Sequence, residues 1–225
     1  MCTEVPIPNV PRSRRGPATG PLVLALVGPT GSGKSTVARA LGEAGARVLD
    51  ADRMGHEITD GVPEVRRALA EEYGADVYRP DGTLDRRRVA AKVFSDPAAL
   101  TRLNLLVHPR ILERLRAAIA AAAQEQFTGA VVVDAALLLD WGFERECDAV
   151  IAVIAPVALQ IARLMAARGW SEAEARQRLA RARSNQAFAD VADEVIVNDG
   201  SEAEAAAAAR AALARLSAKR AGAGA

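Results

Sequence analysis

Aromatic residues are scarce in this chain of 225 residues: four Phe, two Trp and two Tyr. So few rings argue against a surface that stacks successive unpaired bases. Net charge is nearly absent too, because 29 Lys and Arg stand against 28 Asp and Glu, a sum of +1. That balance argues against a strongly basic nucleic-acid binder and against an acidic solvating chain. Only two cysteines occur, Cys2 and Cys147. They build no disulfide framework and fit a reducing, cytoplasmic compartment. The longest apolar runs, 22–27 and 130–133, are strand-sized, far short of the ~18 residues of a membrane helix. Neither a nucleic acid nor a membrane is therefore expected as a partner. What is present is the 50% hydrophobic, 25% charged composition of an ordinary globular protein. Its length suits one large domain or a core carrying an insertion.

Residues 1–20 hold Pro6, Pro8, Pro11, Pro17 and three arginines but no apolar stretch of the kind a secretory signal needs. They are expected to be a disordered extension. The run Leu22–Val27 suits a central strand buried on both faces. A Gly-rich turn, a helix from Gly33 ending near Gly42 and Gly45, and a strand at 47–49 follow. Strand, loop, helix and strand in so short a span make a βαβ unit with parallel pairing. Helical patterns then dominate 61–126, with helices expected at 65–72, 86–94, 97–107 and 109–126. β-branched strands return at 130–133, 149–154 and 195–197, separated by helices at 157–168 and 171–183 and followed by one from Ser201 to about 216. The fold class is accordingly α/β, a parallel sheet flanked by helices, and Gly28-Pro29-Thr30-Gly31-Ser32-Gly33-Lys34-Ser35 in the Gly-rich turn makes it P-loop NTPase-type. The core comprises 21–60 and 127–217 with a helical lid near 160–190; 61–126 is a helical insertion and 218–225 a frayed tail.

Gly28-Pro29-Thr30-Gly31-Ser32-Gly33-Lys34-Ser35 satisfies G-x-x-x-x-G-K-[ST] between a buried strand and a helix, the context that motif requires. Its glycines let backbone N–H groups face a phosphate, and the helix N-terminus adds positive potential. Lys34 is expected on the β and γ phosphates and Ser35 on Mg²⁺. Asp50 and Asp52 follow the second strand, where ligands of open parallel sheets bind. If the strand continues, alternation puts both on one side. One could accept a hydroxyl proton, or Asp52 could simply cap the next helix. Asp134 ends an apolar run as a Walker B acid does, or as a turn aspartate does; the pattern leaves both open. Arg163, Arg168, Arg176, Arg178, Arg181 and Arg183 decorate the lid helices, suiting either transferring phosphates or a solvated face. Arg86-Arg87-Arg88 opens a helix, where cations are unfavourable unless an anion meets them.

In this order the segments resemble the dephospho-coenzyme A kinase family over about 22–200. The resemblance rests on the P-loop with Thr36, on Val48-Leu49-Asp50-Ala51-Asp52 with His56, and on Asp81-Gly82-Thr83-Leu84-Asp85-Arg86. Further along come Leu103-Asn104 with His108-Pro109, Gln160 to Arg163 with Arg168, and Asn198-Asp199-Gly200. It implies phosphorylation of the ribose 3′-hydroxyl of dephospho-CoA by MgATP in a monomer or small homo-oligomer. Asp52 is then the base, Lys34 the phosphate-binding lysine and Arg163 the lid arginine on the phosphoryl group. Gly28 to Thr36, Asn198 and Gly200 hold ATP, and Ser35 holds Mg²⁺. Asp50, His56, Leu103, Asn104, His108 and Arg168 meet the acceptor. Two departures stand out: Ala136 to Asp140 where the family reads P-L-L-x-E, and Ala182 where a glutamine is frequent. Another small-molecule P-loop kinase and an NTP-dependent switch are the alternatives; no N-K-x-D guanine-reading motif occurs.

Overall fold

A computed structural model describes residues 20–94 and 96–222. The extension expected at 1–20 lies, apart from Gly20, outside the described residues, as do 223–225. The chain divides into two compact units, one of 1–49 with 119–225 and one of 50–118.

The first unit is built on a five-stranded sheet. Its strands are β1 (Leu22–Val27), β2 (Arg47–Asp50), β3 (Ala130–Asp134), β4 (Ala149–Ile154) and β5 (Glu194–Val197), in the order β2-β3-β1-β4-β5. β1 pairs in parallel with β3 and β4, and β4 with β5. Every residue of β1 is buried, as an unbroken apolar run in a sheet covered on both faces must be. One layer of the core joins Leu22, Leu24 and Leu26 to Val37 and Leu41 of α1 (Lys34–Glu43) and to Ala209, Ala212 and Leu216 of α9 (Glu202–Gly222). Small alanines let α9 approach closely, and its ordered helix extends through Gly222, so 218–222 are helical where fraying was expected. Parallel pairing sends the chain ends of β1, β3, β4 and β5 to one edge of this sheet.

Between β4 and β5 lie α6 (Val157–Arg168), α7 (Glu172–Ala180) and α8 (Asn185–Ala189). The helix expected over 171–183 is therefore shorter, and Ser184 starts a new one by accepting the Ala187 N–H at 3.1 Å. α7 opens with a capping box, Ser171 and Glu174 bonding each other's backbone N–H groups. The same tetrapeptide, Ser201-Glu202-Ala203-Glu204, forms the same bonds at the start of α9. In both pairs the serine N–H and hydroxyl hold the glutamate below the usual carboxylate pKa range. α7 buries only Ala175, in a small cluster with Ile161 and Leu164 of α6.

The second unit contains α2 (Ala51–Gly61), α3 (Pro63–Tyr73), α4 (Arg86–Phe94) and the first part of α5 (Pro97–Gln124). It begins at 50 rather than 61 because α2, which enters the sequence reading only as a helix that Asp52 could cap, belongs to it. α5 is one helix through Pro109, not the two expected. Proline in a helix interior costs about 3 kcal/mol, but Val107, Ile111 and Leu115 form one buried stripe across it, each worth about 1.5–3 kcal/mol when fully buried. Arg110 also donates to the Leu106 carbonyl at 2.7 Å, serving an oxygen beside the interruption.

Polar side chains knit this unit together. Arg66 donates to the carbonyls of Asp60 and Gly82 at 2.7 and 2.6 Å and lies 4.7 Å over the Tyr78 ring. Arg86 pairs with Asp60 at 3.1 Å, and Asp85 accepts from the N–H groups of Arg87 and Arg88 at the start of α4. Arg88 meets Asp76 at 3.4 Å. The anions answering two arginines of the basic trio are thus the chain's own carboxylates. Tyr73 and Tyr78 donate their hydroxyls to Ala99 and Thr59 carbonyls, and burial pushes both phenols above the usual range.

Candidate active site

The phosphate loop, residues 28–33, leaves β1 and feeds α1. Its turn is closed by the Ser32 N–H on the Pro29 carbonyl at 3.1 Å. Gly33 is the N-cap of α1 in a left-handed conformation, φ 89°. Only glycine fits there, because a Cβ would collide with the Asn198 amide nitrogen as well as strain the backbone. α1 has no side-chain cap and no acidic residue in its first turn. Its positive end is thus not neutralised locally, the condition for receiving phosphate.

Neighbouring strand ends brace the loop. Asn198, just past β5 and buried, takes the Ile154 carbonyl with its N–H at 2.8 Å and gives its side-chain NH₂ to the Ser32 carbonyl at 2.8 Å. Arg163 on α6 donates through Nη1 to Gly31 and Ser32 carbonyls at 3.4 and 3.2 Å and through Nη2 to the Asn198 carbonyl at 3.1 Å. These donors engage loop carbonyls, which favours the opposite, N–H-bearing side for an anion. Ser32 is fully buried, and its hydroxyl has no hydrogen-bond partner among the described residues. At the end of β3, Asp134 forms an ion pair with the Lys34 ammonium, both side chains being mostly buried. The sequence pattern alone fits both a Walker B acid and a turn aspartate at Asp134; β3 pairing with β1, Asp134 level with Leu26, is what brings it to the loop.

The sequence candidates therefore separate. Gly28 to Thr36, Lys34, Arg163 and Asn198 converge in the first unit. Arg168, at the end of α6, is exposed, and Gly200 is exposed just ahead of the capping box of α9. In the second unit, Asp50 and Asp52 do not alternate along a strand, because β2 stops at Asp50 and α2 begins at the next residue. Asp50 is the cap, its carboxylate accepting the Arg53 N–H at 2.9 Å, and Asp52 lies exposed in the first turn. His56 is exposed on α2; Leu103, Asn104 and His108 are half-buried on α5. Sequence reasoning missed the roles of Gln160 and Asn185 near the loop. Gln160 stood in the Q-x-x-R pattern, whereas nothing local marked Asn185.

A Gly-rich loop on a buried strand, a lysine at the following helix start and an acid on the adjacent strand end define a P-loop nucleotide-binding protein. The dephospho-CoA kinase family model matches residues 22–204. The chain belongs to that family. Dephospho-CoA kinase of Thermobifida fusca is 40% identical over 81% of this chain and 90% of its own length. That of Deinococcus radiodurans is 41% identical over 88% of this chain and 90% of its own. Among solved structures, TT1252 from Thermus thermophilus superposes with a TM-score of 0.73 at 30% identity, covering 88% of this chain and 98% of that one.

Proposed function

We propose that the protein transfers the γ-phosphoryl group of ATP to the ribose 3′-hydroxyl of dephospho-CoA, forming coenzyme A and ADP in the last step of coenzyme A biosynthesis. The observation that carries this reading is a braced phosphate loop, with Lys34 beside Asp134, in a chain matched by the dephospho-CoA kinase family over 22–204. Backbone N–H groups between Gly28 and Thr36 receive the phosphates, and Lys34 exchanges Asp134 for the β and γ oxygens. Asn198 and Gly200 complete the nucleotide side.

The hydroxyl oxygen attacks the γ-phosphorus, the bond to the β–γ bridging oxygen breaks, and ADP leaves with that electron pair. The hydroxyl proton passes to Asp52, which Asp50 relieves of the capping role. Asp50, His56, Leu103, Asn104, His108 and Arg168 take the acceptor. Arg163 holds the loop and extends its charge toward the transferring group. The departure at Asp140 keeps a polar partner, since Arg183 meets it at 2.7 Å.

The Ser35 hydroxyl and Asp134 carboxylate are the hard oxygen donors that suit Mg²⁺. Among the described residues no cluster of three His, Cys, Asp or Glu would hold a metal by itself, in keeping with an ion bound largely through nucleotide phosphates. Bound with ATP, Mg²⁺ would supply charge neutralisation for the transferring phosphates. No described helix is long and apolar enough to cross a membrane; the two-cysteine composition supports a reducing, cytoplasmic setting for the reaction, carried out by a monomer or small homo-oligomer. ADP release measured across dephospho-CoA, nucleosides and nucleotides tests the acceptor. Dephospho-CoA should give the highest kcat/KM; a faster nucleoside or nucleotide would replace it, and GTP hydrolysis needing no acceptor would replace transfer altogether.

A further inference from the structure

The first turn of α6 starts without a conventional cap. Its N-cap is Pro156, which makes no side-chain hydrogen bond into the helix. The carbonyl just before it belongs to Ala155, a residue 1% exposed. Two side-chain amides satisfy that oxygen: Gln160 Nε2 and Asn185 Nδ2 both donate to it at 2.7 Å. Gln160 Nε2 also donates to Asn185 Oδ1 at 2.9 Å. Gln160 is 2% exposed, so losing either amide would strand polar groups away from water.

This turn is the surface on which the middle of the phosphate loop rests. A Cβ at Gly31, whose φ is 79°, would lie 2.9 Å from the Gln160 carbonyl oxygen and 3.1 Å from its Cα. One turn later, Arg163 donates to the Gly31 and Ser32 carbonyls. Asn185 comes from α8, beyond α7, so a residue distant in sequence anchors the turn that carries the loop. Ala182 has no amide to offer; the one used sits at 185.

We propose that Asn185 and Gln160 are positioning residues for phosphoryl transfer, setting the shape of the phosphate loop through the Gln160 main chain and Arg163 without touching nucleotide. The proposal rests on the P-loop reading above and is independent of the acceptor's identity.

Calorimetric MgADP affinity, thermal melting and the acceptor KM test it. Asn185→Ala should weaken MgADP binding about tenfold and leave the acceptor KM within about twofold. Asn185→Ala with Gln160→Ala should be no worse than the worse single variant, because the two belong to one network. Asn185→Asp preserves shape but loses the donor to Ala155, and it should show the same weakening even if the alanine variant does not fold. Arg183→Ala, which breaks a half-exposed ion pair close by, should change MgADP affinity by less than about twofold. A wild-type protein that fails to bind MgADP would refute the P-loop reading itself. A wild type that binds, with folded Asn185 variants within about twofold of it, overturns the positioning role. So does an equal loss in MgADP affinity and acceptor KM.

Discussion

In the sheet-bearing unit, Arg163 and Asn198 converge on the carbonyls of the phosphate loop, whose turn the Ser32 N–H closes on Pro29. In the helical unit, Arg66, Arg86 and Asp60 converge on one another and on carbonyls of the same unit. Both sets lie in segments that resemble family motifs, yet their surroundings differ. Around Lys34 the polar groups shape a cradle without neutralising the helix end. Around Asp81 to Arg86 they close on themselves, the Asp81 carboxylate binding the N–H and hydroxyl of Thr83 at 2.9 and 2.6 Å. The first set shapes the phosphate loop through its carbonyls, whereas the second ties its own unit together.

The largest expected effect lies in the first unit. Lys34→Ala removes the ammonium proposed to meet the transferring phosphates and should lower the rate at least a hundredfold, about 3 kcal/mol at ~1.4 kcal/mol per decade. A near-normal rate would erase the contrast between the units. Asp52→Asn keeps shape but removes the proposed proton acceptor, so kcat should fall about 10²-fold. Equal losses of activity and stability in that variant would move Asp52 into the structural set.

Arg66→Met should do the reverse. Losing two carbonyl bonds and the stacking on Tyr78 should cost about 2 kcal/mol of stability, seen as a Tm lower by roughly 4–8 °C. The specific activity of the folded fraction should be retained. A loss of kcat without a loss of Tm would show that this knot contacts substrate.

The smallest effect is in pH. Glu174 and Glu204 are held below the usual range by their serine partners. Their capping contribution is therefore complete above the ordinary glutamate pKa of about 4.3 and fades as pH falls through their lowered values. The Tm difference between wild type and Glu174→Gln should be present at neutral pH and close on acidification. A gap that widens in acid would reverse the assigned sign.

The sheet was largely legible in sequence because buried parallel strands are continuous apolar runs, and the P-loop because its residue types are required one by one. Three features were hidden for physical reasons. α2 follows β2 with no loop, so Asp50 is both last strand residue and helix cap, and alternation misplaced Asp52. α5 persists through Pro109 because packing of Val107, Ile111 and Leu115 outweighs a lost backbone bond. Asn185 is one polar residue in a short helix, and its importance arises from the distant Ala155 carbonyl it meets. Local pattern carries no trace of such a partner. The phosphate loop was legible as a motif, whereas the braces that shape it required the topology.

The most direct measurement incubates the purified chain with MgATP and dephospho-CoA and resolves all products by chromatography. Coenzyme A and ADP should appear in equal amounts, the phosphate sitting on the ribose 3′-oxygen. ADP without a matching phosphorylated acceptor, or phosphate on any other oxygen, would contradict the account.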